Sequence, residues 1–543
     1  MADLVDVKNA SSGSAEWWLG RLAGRLASRQ TDMKLFDDYY HGRHRETFKI
    51  RQVLMAFGLR QPLHVNYCAV VVDAVNERLG VTGFRFGKDE AGRAAAWEIW
   101  QRSNMDAAFK RGLRIGLAKG EFSLLVWPDD QGEPRIFVED GAQVLVATDP
   151  SDRRVRRAAI KRWYDEDDRR TYATIYLPDG LYKFQTPTSA QVPSPQKGVM
   201  PDGFYMGGGA GPTQALPSSD DMTWERRVVD GEPWPLPNPF ATVPVIPLPN
   251  RPGLDGSGES EINLVVPIQD AINANVANVM LAGLYGAFRQ KWATNVTLEV
   301  DPKTGKSVQP WDVAIDSLMT APPPADGTNP VQFGEFGQTE LSGYISLHEA
   351  YVQAIATITR LPVHYLLGSQ GSFPSGESLT AAERGLSEKA RERAIDDGDP
   401  VEEAMRLALR MKASQAGLSN AAAQRYLKWA AMTDAEAVWR DPETKPESAH
   451  IDALTKLAAL GVPEQAVWAM IPATPQQVAE WTAMKAEAAA AASAPPPAGG
   501  SAGAMDPTMA DAMDAADAGD ASIVPGAPTG DPGIGTSQLK VKV

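Results

Sequence analysis

Residues 364–386 read HYLLGSQGSFPSGESLTAAERGL, a glycine- and serine-rich loop that runs straight into a helical pattern. Loops of this kind at a helix N-terminus often cradle phosphate, because backbone N–H groups and the helix dipole both face the anion. A P-loop, however, needs GxxxxGK followed by Ser or Thr, with the lysine reaching the terminal phosphates and the hydroxyl holding magnesium. Here no lysine takes the key position, and a helix rather than a strand precedes the loop. DPKTGKS at 301–307 contains GKS but has Val300 where the upstream glycine belongs. Both stretches read as glycine turns.

Working outward, TELSGYISLHEAYVQAIATIT predicts a helix over about 340–359, with Leu341, Tyr344, Tyr351, Ile355 and Ile358 on one face and Pro362 as its stop. An insert of about 45 residues precedes it, beginning WATNVTLEVDPKTGKSVQPWDVAI. Its β-like runs flank a turn, which predicts a compact mixed or β-type module. Before the insert, Ile262, Val265, Ile268, Ile272, Val276, Val279 and Leu284 mark another helix from about 258. Pro267 either kinks that helix or occupies its first turn. Its length from Pro267 to Gln290 is roughly 36 Å at 1.5 Å per residue. Asn273, Asn275 and Asn278 lie among the apolar positions, as in a helix that meets neighbours or water on more than one side.

Downstream, Ser375 is a good N-cap for a long helix running past Arg393. DDGDPVEE interrupts it, and Asp399, Pro400 and Glu402 make a capping signature that predicts a kink or restart. RYLKWAAM and AEAVWRDP read as short strands. Helical units follow in SAHIDALTKLAAL, closed by Gly461, then PEQAVWAMI and PQQVAEWTAMKAEAAAAA. From about 493 the chain is Ala, Gly, Pro, Met and Asp with little else, the composition of a disordered acidic tail.

Residues of about 15–120 are mainly helical in pattern, with VNYCAVVVDAVNERL ending at Gly80 and AWEIWQRSNMDAAFKRGLRIGLAKG ending at Gly120. FSLLVWP, DDQGEP and RIFVE then predict a hairpin, and QVLVAT, RRAAIKRWY and TYATIYL a meander. PDG at 178–180 is a further turn. The Pro/Gly/Ser-rich stretch of about 186–221 has few groups to offset its ordering entropy and reads as a mobile insertion.

The chain has 543 residues, 43% hydrophobic and 22% charged, which is globular composition for about two to four structural units. The one cysteine, Cys68, excludes an internal disulfide framework and reads as a buried structural thiol in a reducing compartment. No apolar leader segment opens the sequence, and no run reaches the ~18 apolar residues of a membrane span. The expectation is a soluble intracellular protein. Among candidate sites, His41 and His44 in YYHGRH have a spacing that suits metal, beside Asp37 and Asp38, but a glycine intervenes and a surface or inter-element role is the simpler reading. HEAY at 348–351 lacks the second histidine of a zinc motif, since position 352 is Val, and no GxSxG occurs. The acidic runs DEDDRR and IDDGD read as turns and solvated helix ends. No catalytic constellation, metal site or cofactor motif emerges.

Several of these stretches, in this order, resemble the portal proteins of long-tailed double-stranded DNA phages, especially those of actinobacteria. They are DDYYHGRH, HVNYCAVVVDAVNERLGVTGFRF, LLVWPDDQGEPRI, VPVIPLPNRP with VPIQDAIN, AAFRQKWATN and ITRLPVHYLLGSQGSFPSGESLTAAERGL, extended by VWRDPETKPE and GVPEQAVWAMIP. They span roughly residues 30–485. The resemblance implies a predominantly helical α+β subunit assembling into a ring, usually dodecameric, at one capsid vertex. It implies an N-terminal region and wing over 1–257, a first stem helix over 258–290 carrying Asn273, Asn275 and Asn278, and a clip over 291–339. A second stem helix over 340–359, a tunnel loop over 360–376, a kinked helix over 377–417 and a return segment to the wing over 418–446 follow. Crown helices occupy 447–492 and the tail 493–543. Trp292, Lys303, Lys306 and Trp311 would give the clip its docking surface.

The implied partners are double-stranded DNA passing through the channel without sequence preference, the terminase large subunit, head-completion or adaptor proteins, and major capsid and scaffolding proteins. Its place would be the head–tail junction of the virion, after assembly in the host cytoplasm, with no catalysis of its own. In this frame Gly368, Gly371 and Gly376 let the loop bend and approach DNA closely. Ser369, Gln370 and Ser372 offer weak, sequence-blind hydrogen bonds to phosphate, Phe373 and Pro374 form a stiff tip, and Ser375 caps the next helix. No Lys or Arg lies between Leu361 and Glu383, and the net charge is −15, which suits sliding past DNA rather than gripping it. The alternatives are another virion structural component, such as an adaptor or minor capsid protein, and a phosphate- or nucleotide-handling enzyme using the glycine loop.

Overall fold

Ser14, Asn66 and Asp89 each stand just ahead of a helical run, and each caps it. In the computed structural model Ser14 Oγ accepts from the Trp17 N–H at 3.2 Å, Asn66 Oδ1 from Cys68 N–H at 3.1 Å, and Asp89 Oδ1 from Gly92 N–H at 3.1 Å. They open α1 (Ala15–Tyr40), α2 (Tyr67–Arg78) and α3 (Glu90–Arg102); α4 (Met105–Lys119) ends on Gly120, whose φ of +98° suits glycine. The structure describes residues 4–44, 65–187, 222–287, 291–295, 332–335, 340–368, 376–415, 417–443, 447–463 and 475–493, with a few isolated positions besides. The expectations for the 186–221 insertion, apart from its first two residues, and for the tail after 493 lie outside them. The chain forms two compact units, Met1–Pro446 and Glu447–Val543.

The predicted hairpin is β3 (Glu121–Pro128) against β4 (Pro134–Asp140), with β11 (Val245–Pro249) on the other edge of β3. The predicted meander is β5 (Val144–Thr148), β6 (Arg156–Asp165) and β7 (Arg170–Tyr176), and β8 (Gly180–Gln185), which the sequence reading did not place, extends it, all antiparallel. β9 (Trp224–Arg226), β1 (Leu4–Val5) and the short β10 (Leu236–Pro237) complete a seven-stranded sheet. Leu19, Leu22 and Leu26 of α1 pack on Ile160, Ile175, Phe184 and Trp224 of this sheet. The last turn of α1 contributes Tyr39 to the larger core instead. That core also takes α2, α3, α4 and the elements that follow. Cys68 sits fully buried in it, with its thiol pushed up to about 12 by burial.

Those later elements are α5 (Val266–Ala287), β12 (Lys291–Thr294), β13 (Gln332–Glu335), α6 (Ser342–Thr359), α7 (His364–Leu367), α8 (Gly376–Ala413), α9 (Asn420–Ala430) and β14 (Ala435–Trp439). β14 pairs antiparallel with β2 (Val81–Phe86), so the chain returns to its N-terminal part. The second unit contains α10 (Glu447–Ala459), followed by Gly461 at φ +86°, and α11 (Pro475–Ser493). Among the described residues helix exceeds strand, at 49% against 20%, as expected for a helix-rich α+β chain.

Three local readings need correction. α5 begins at Val266 rather than near 258, so Pro267 lies in its first turn, where a missing N–H costs no helical bond. α8 runs through Pro400 as one 38-residue helix, so of the two readings, kink or restart, the restart is excluded. Buried Ala390, Val401, Ala404, Met405 and Ala408 on either side of the proline hold it in place. RYLKWAAM is helical, not a strand. Ser419 Oγ caps α9 by accepting from Ala422 N–H at 3.3 Å, and Trp429 Nε1 donates to Asp89 Oδ2 at 2.9 Å, a tertiary anchor that overrides the β-preference of Tyr426 and Trp429.

Candidate functional site: a helical hairpin and the loop behind it

β12 follows α5 in the chain and β13 precedes α6; the two strands pair antiparallel from Lys291↔Glu335 to Thr294↔Gln332. The two helices pack as a hairpin, with Asn275 Nδ2 donating to the Tyr344 carbonyl at 2.9 Å. Burial is concentrated at the end away from the strands. Gln269, Ile272 and Asn273 on α5 and Val352, Ile355 and Thr359 on α6 are buried. Towards the strands the helices stay apolar but lose their cover: Val279, Met280 and Leu281 are half-buried, while Ile345 and Leu347 are exposed.

The amides of α5 divide accordingly. Asn273 Oδ1 accepts from Val65 N–H at 3.2 Å and its Nδ2 meets His44 Nε2 at 2.9 Å; Gln269 Oε1 accepts from Tyr67 N–H at 2.9 Å. The His44 ring stacks on Tyr39 at 4.2 Å, and the Tyr39 hydroxyl donates to Asp270 at 2.7 Å. Asn273 and Asn275 are thus buried fasteners, whereas Asn278 is exposed. His44 serves between elements, and His41 contacts the Asp37 carbonyl at 3.0 Å. Among the described residues no cluster could hold a metal ion, and no helix is long and apolar enough to cross a membrane.

On the β-ribbon, Trp292 lies over Gly334 of the facing strand, and any side chain at Gly334 would collide with the indole. Trp292 is 37% exposed, and Phe333 next to Gly334 is exposed too. Lys303, Lys306 and Trp311 lie outside the described residues.

Of the glycine-rich loop, Gly368 and Gly376 are described, while Ser369, Gln370, Gly371, Ser372, Phe373, Pro374 and Ser375 lie outside the described residues. Gly368 ends α7 at φ +65°, ψ −179°, a region open essentially to glycine alone, with free space where a Cβ would stand. Gly376 is the first residue of α8. One side chain holds both flanks of the loop. Arg78, nearly buried at the end of α2, donates to the Tyr365 hydroxyl at 3.0 Å, to Ser387 Oγ at 3.3 Å and to the Pro442 carbonyl at 2.7 Å, and pairs with Glu383 at 3.1 Å.

Below the loop, Glu261 accepts from Lys389 at 2.7 Å and Arg393 at 2.9 Å, and Lys389 also donates to the Thr359 carbonyl at 3.1 Å. Burial would raise the Glu261 carboxyl, but the two cations beside it hold it below the usual carboxylate range. Sequence reasoning missed Arg78, Glu261, Lys389 and Arg393. Each looks like an ordinary helix-end or surface charge, and only distant partners reveal its role.

The chain belongs to the phage portal proteins, because the family model described as "Phage portal protein, SPP1 Gp6-like" matches residues 21–493. It is 27% identical over 414 residues to the portal protein of Mycobacterium phage L5, covering 73% of each chain. A similar match, 27% identical over 413 residues and again 73% of each chain, joins it to the portal protein of Mycobacterium phage D29. The family consists of structural, non-enzymatic virion components, the head–tail connectors of bacteriophages.

Proposed function

We propose that the chain is one subunit of a ring at a single capsid vertex, through which double-stranded DNA enters during packaging and leaves on ejection. α5 and α6 are its stem, the module bearing β12 and β13 its clip, and the loop between Gly368 and Gly376 its tunnel loop. The elements before α5, together with β14, form the wing, and the helices of the second unit the crown. The clip would dock the terminase during packaging and head-completion or tail proteins afterwards, and ATP hydrolysis would belong to the terminase.

The observation that carries this reading is the α5–α6 hairpin. Its strand-proximal half keeps Ile345 and Leu347 exposed and Val279, Met280 and Leu281 partly so, and such a stripe calls for cover. Adjacent copies of the same hairpin around an axis would supply it. Gly368 supports a loop that turns sharply, and no lysine or arginine between Leu361 and Glu383 would trap passing phosphates.

Negative-stain images of the purified chain are expected to show rings with a central hole; a protein that stays monomeric at every concentration overturns the reading. Gly371→Val is expected to lower packaging efficiency, and wild-type packaging by that variant would remove the DNA-facing role of the loop.

A further inference from the structure

The seven-stranded sheet carries opposite charges at the two ends of a single strand. Where β6 begins, a cleft of about 1120 Å³ lies between α1, the β5–β6 turn, β11 and the second half of α8. Arg25, Arg154, Arg156, Arg406 and Arg410 line it, in a chain whose net charge is −15. Part of this charge is neutralised within the wall. Arg156 pairs with Glu403 at 2.5 Å and Arg406 with Glu402 at 3.7 Å, while the Asp255 carboxylate is taken by Ser257. Asp399 also faces the cleft. Arg25 and Arg410 are exposed, and their guanidinium groups have no partner among the described residues.

Where β6 ends at Asp165, the turn to β7 presents Glu166, Asp167 and Asp168 in succession, followed by the exposed Arg169, so the turn keeps a net negative charge. This turn is rigid. Asp165 Oδ1 accepts from the Asp167 and Asp168 N–H groups at 3.0 and 3.2 Å, and the Tyr172 hydroxyl donates to Asp168 at 2.5 Å. Glu166 and Asp167 are exposed and unpaired among the described residues. β6 has ten residues, so at ~3.3 Å per residue the turn and the cleft stand roughly 30 Å apart and cannot meet within one chain.

We propose that the acidic β6–β7 turn of one subunit seats in the arginine cleft of the next copy of this chain, using Glu166 and Asp167 against Arg25 and Arg410. A contact between two different patches is head-to-tail, and such contacts generate rings when the rotation closes. The inference therefore rests on the ring reading and assigns it a pairing. Charge complementarity of this kind sets register and partner choice more than it adds affinity.

Three variants test it in the full-length chain: Arg25→Glu with Arg410→Glu, Glu166→Lys with Asp167→Lys, and all four together. Every position is exposed, so circular dichroism is expected to match wild type. Assembly is followed by native mass spectrometry against subunit concentration at low salt. Each double variant is expected to raise the half-assembly concentration by about tenfold or more, and the fourfold variant to recover most of the loss, because the swapped charges attract again. Unchanged assembly in either double variant, or no recovery in the fourfold variant, overturns the pairing. Loss confined to the cleft variant would assign the cleft to a different acidic segment, and this also overturns it. A wild-type chain that forms no rings defeats the ring reading itself, a result distinct from all of these.

Discussion

Arg78 Nη2 reaches the Tyr365 hydroxyl at 3.0 Å, joining the end of α2 to the turn before the glycine-rich loop. The same guanidinium pairs with Glu383 at 3.1 Å on the helix after the loop, so both flanks are held from one point. Arg78→Met leaves the Glu383 carboxylate, 17% exposed, without its cation, and removing one partner of a buried pair costs about 3–5 kcal/mol. Hydrogen exchange over 360–368 and 376–387 is expected to quicken while β6 to β8 keep their protection. Unchanged exchange beside the loop would show that the clamp does not order it.

Glu261 carries a related burden. Its side chain is 2% exposed and accepts from two cations that are almost as buried. Glu261→Gln leaves Lys389 without an anion and Arg393 with only Asp396 at 3.5 Å, and is expected to cost about 3–5 kcal/mol in denaturant unfolding. The sign with pH follows from its lowered carboxyl. The stabilisation is present above the unfolded-state value near ~4.3 and lost as pH falls through the folded value, so the variant's deficit should shrink in acid. A deficit that is the same at pH 3 and pH 7 would contradict this.

Asp397 acts in the opposite sense, and it overturns the reading of IDDGD as a solvated helix end, because it is buried inside α8. Burial within the core, with Asp396 adding to it and Arg393 opposing, raises its carboxyl to about 8. Between the unfolded value near ~3.9 and that figure the native chain binds the extra proton, so stability falls as pH rises, by up to ~1.4 kcal/mol per pH unit. Asp397→Asn removes the ionisable group. Its melting temperature relative to wild type is expected to rise steadily from pH 5 to pH 8, and a difference flat across that range would refute the assignment.

Gly334 faces the Trp292 indole with no room for a side chain. Gly334→Val forces the ring aside, and overpacking of this kind costs about 1–3 kcal/mol locally. Exchange of the 291–294 amides should quicken, with the large core unaffected. If the clip reading holds, capture of head-completion proteins should weaken too; an intact ribbon with normal docking would leave Trp292 without a role there.

Much of the element order was legible because its signals are local. The helix end at Gly120, the hairpin after it, the meander and the stop at Pro362 all depend on residues within a few positions of one another. The failures were local signals overruled from a distance. Asp399 and Pro400 look like a break, yet apolar residues on both sides keep α8 continuous in the core. Tyr426 and Trp429 look like strand residues, yet a cap at Ser419 and a bond to Asp89 make them helical.

The sequence alone determined which segments are helix, strand or turn over most of the chain, along with the family they compose, since periodicity, caps and ordered motifs are written along the backbone. Only the tertiary structure decided that Asn273 and Asn275 are buried fasteners while Asn278 faces outward, and that Arg78 joins the described flanks of the glycine loop while Glu261 holds α8. Their partners lie up to several hundred residues away. A charge declares its role through the dielectric and the counter-charge around it, and folding creates both.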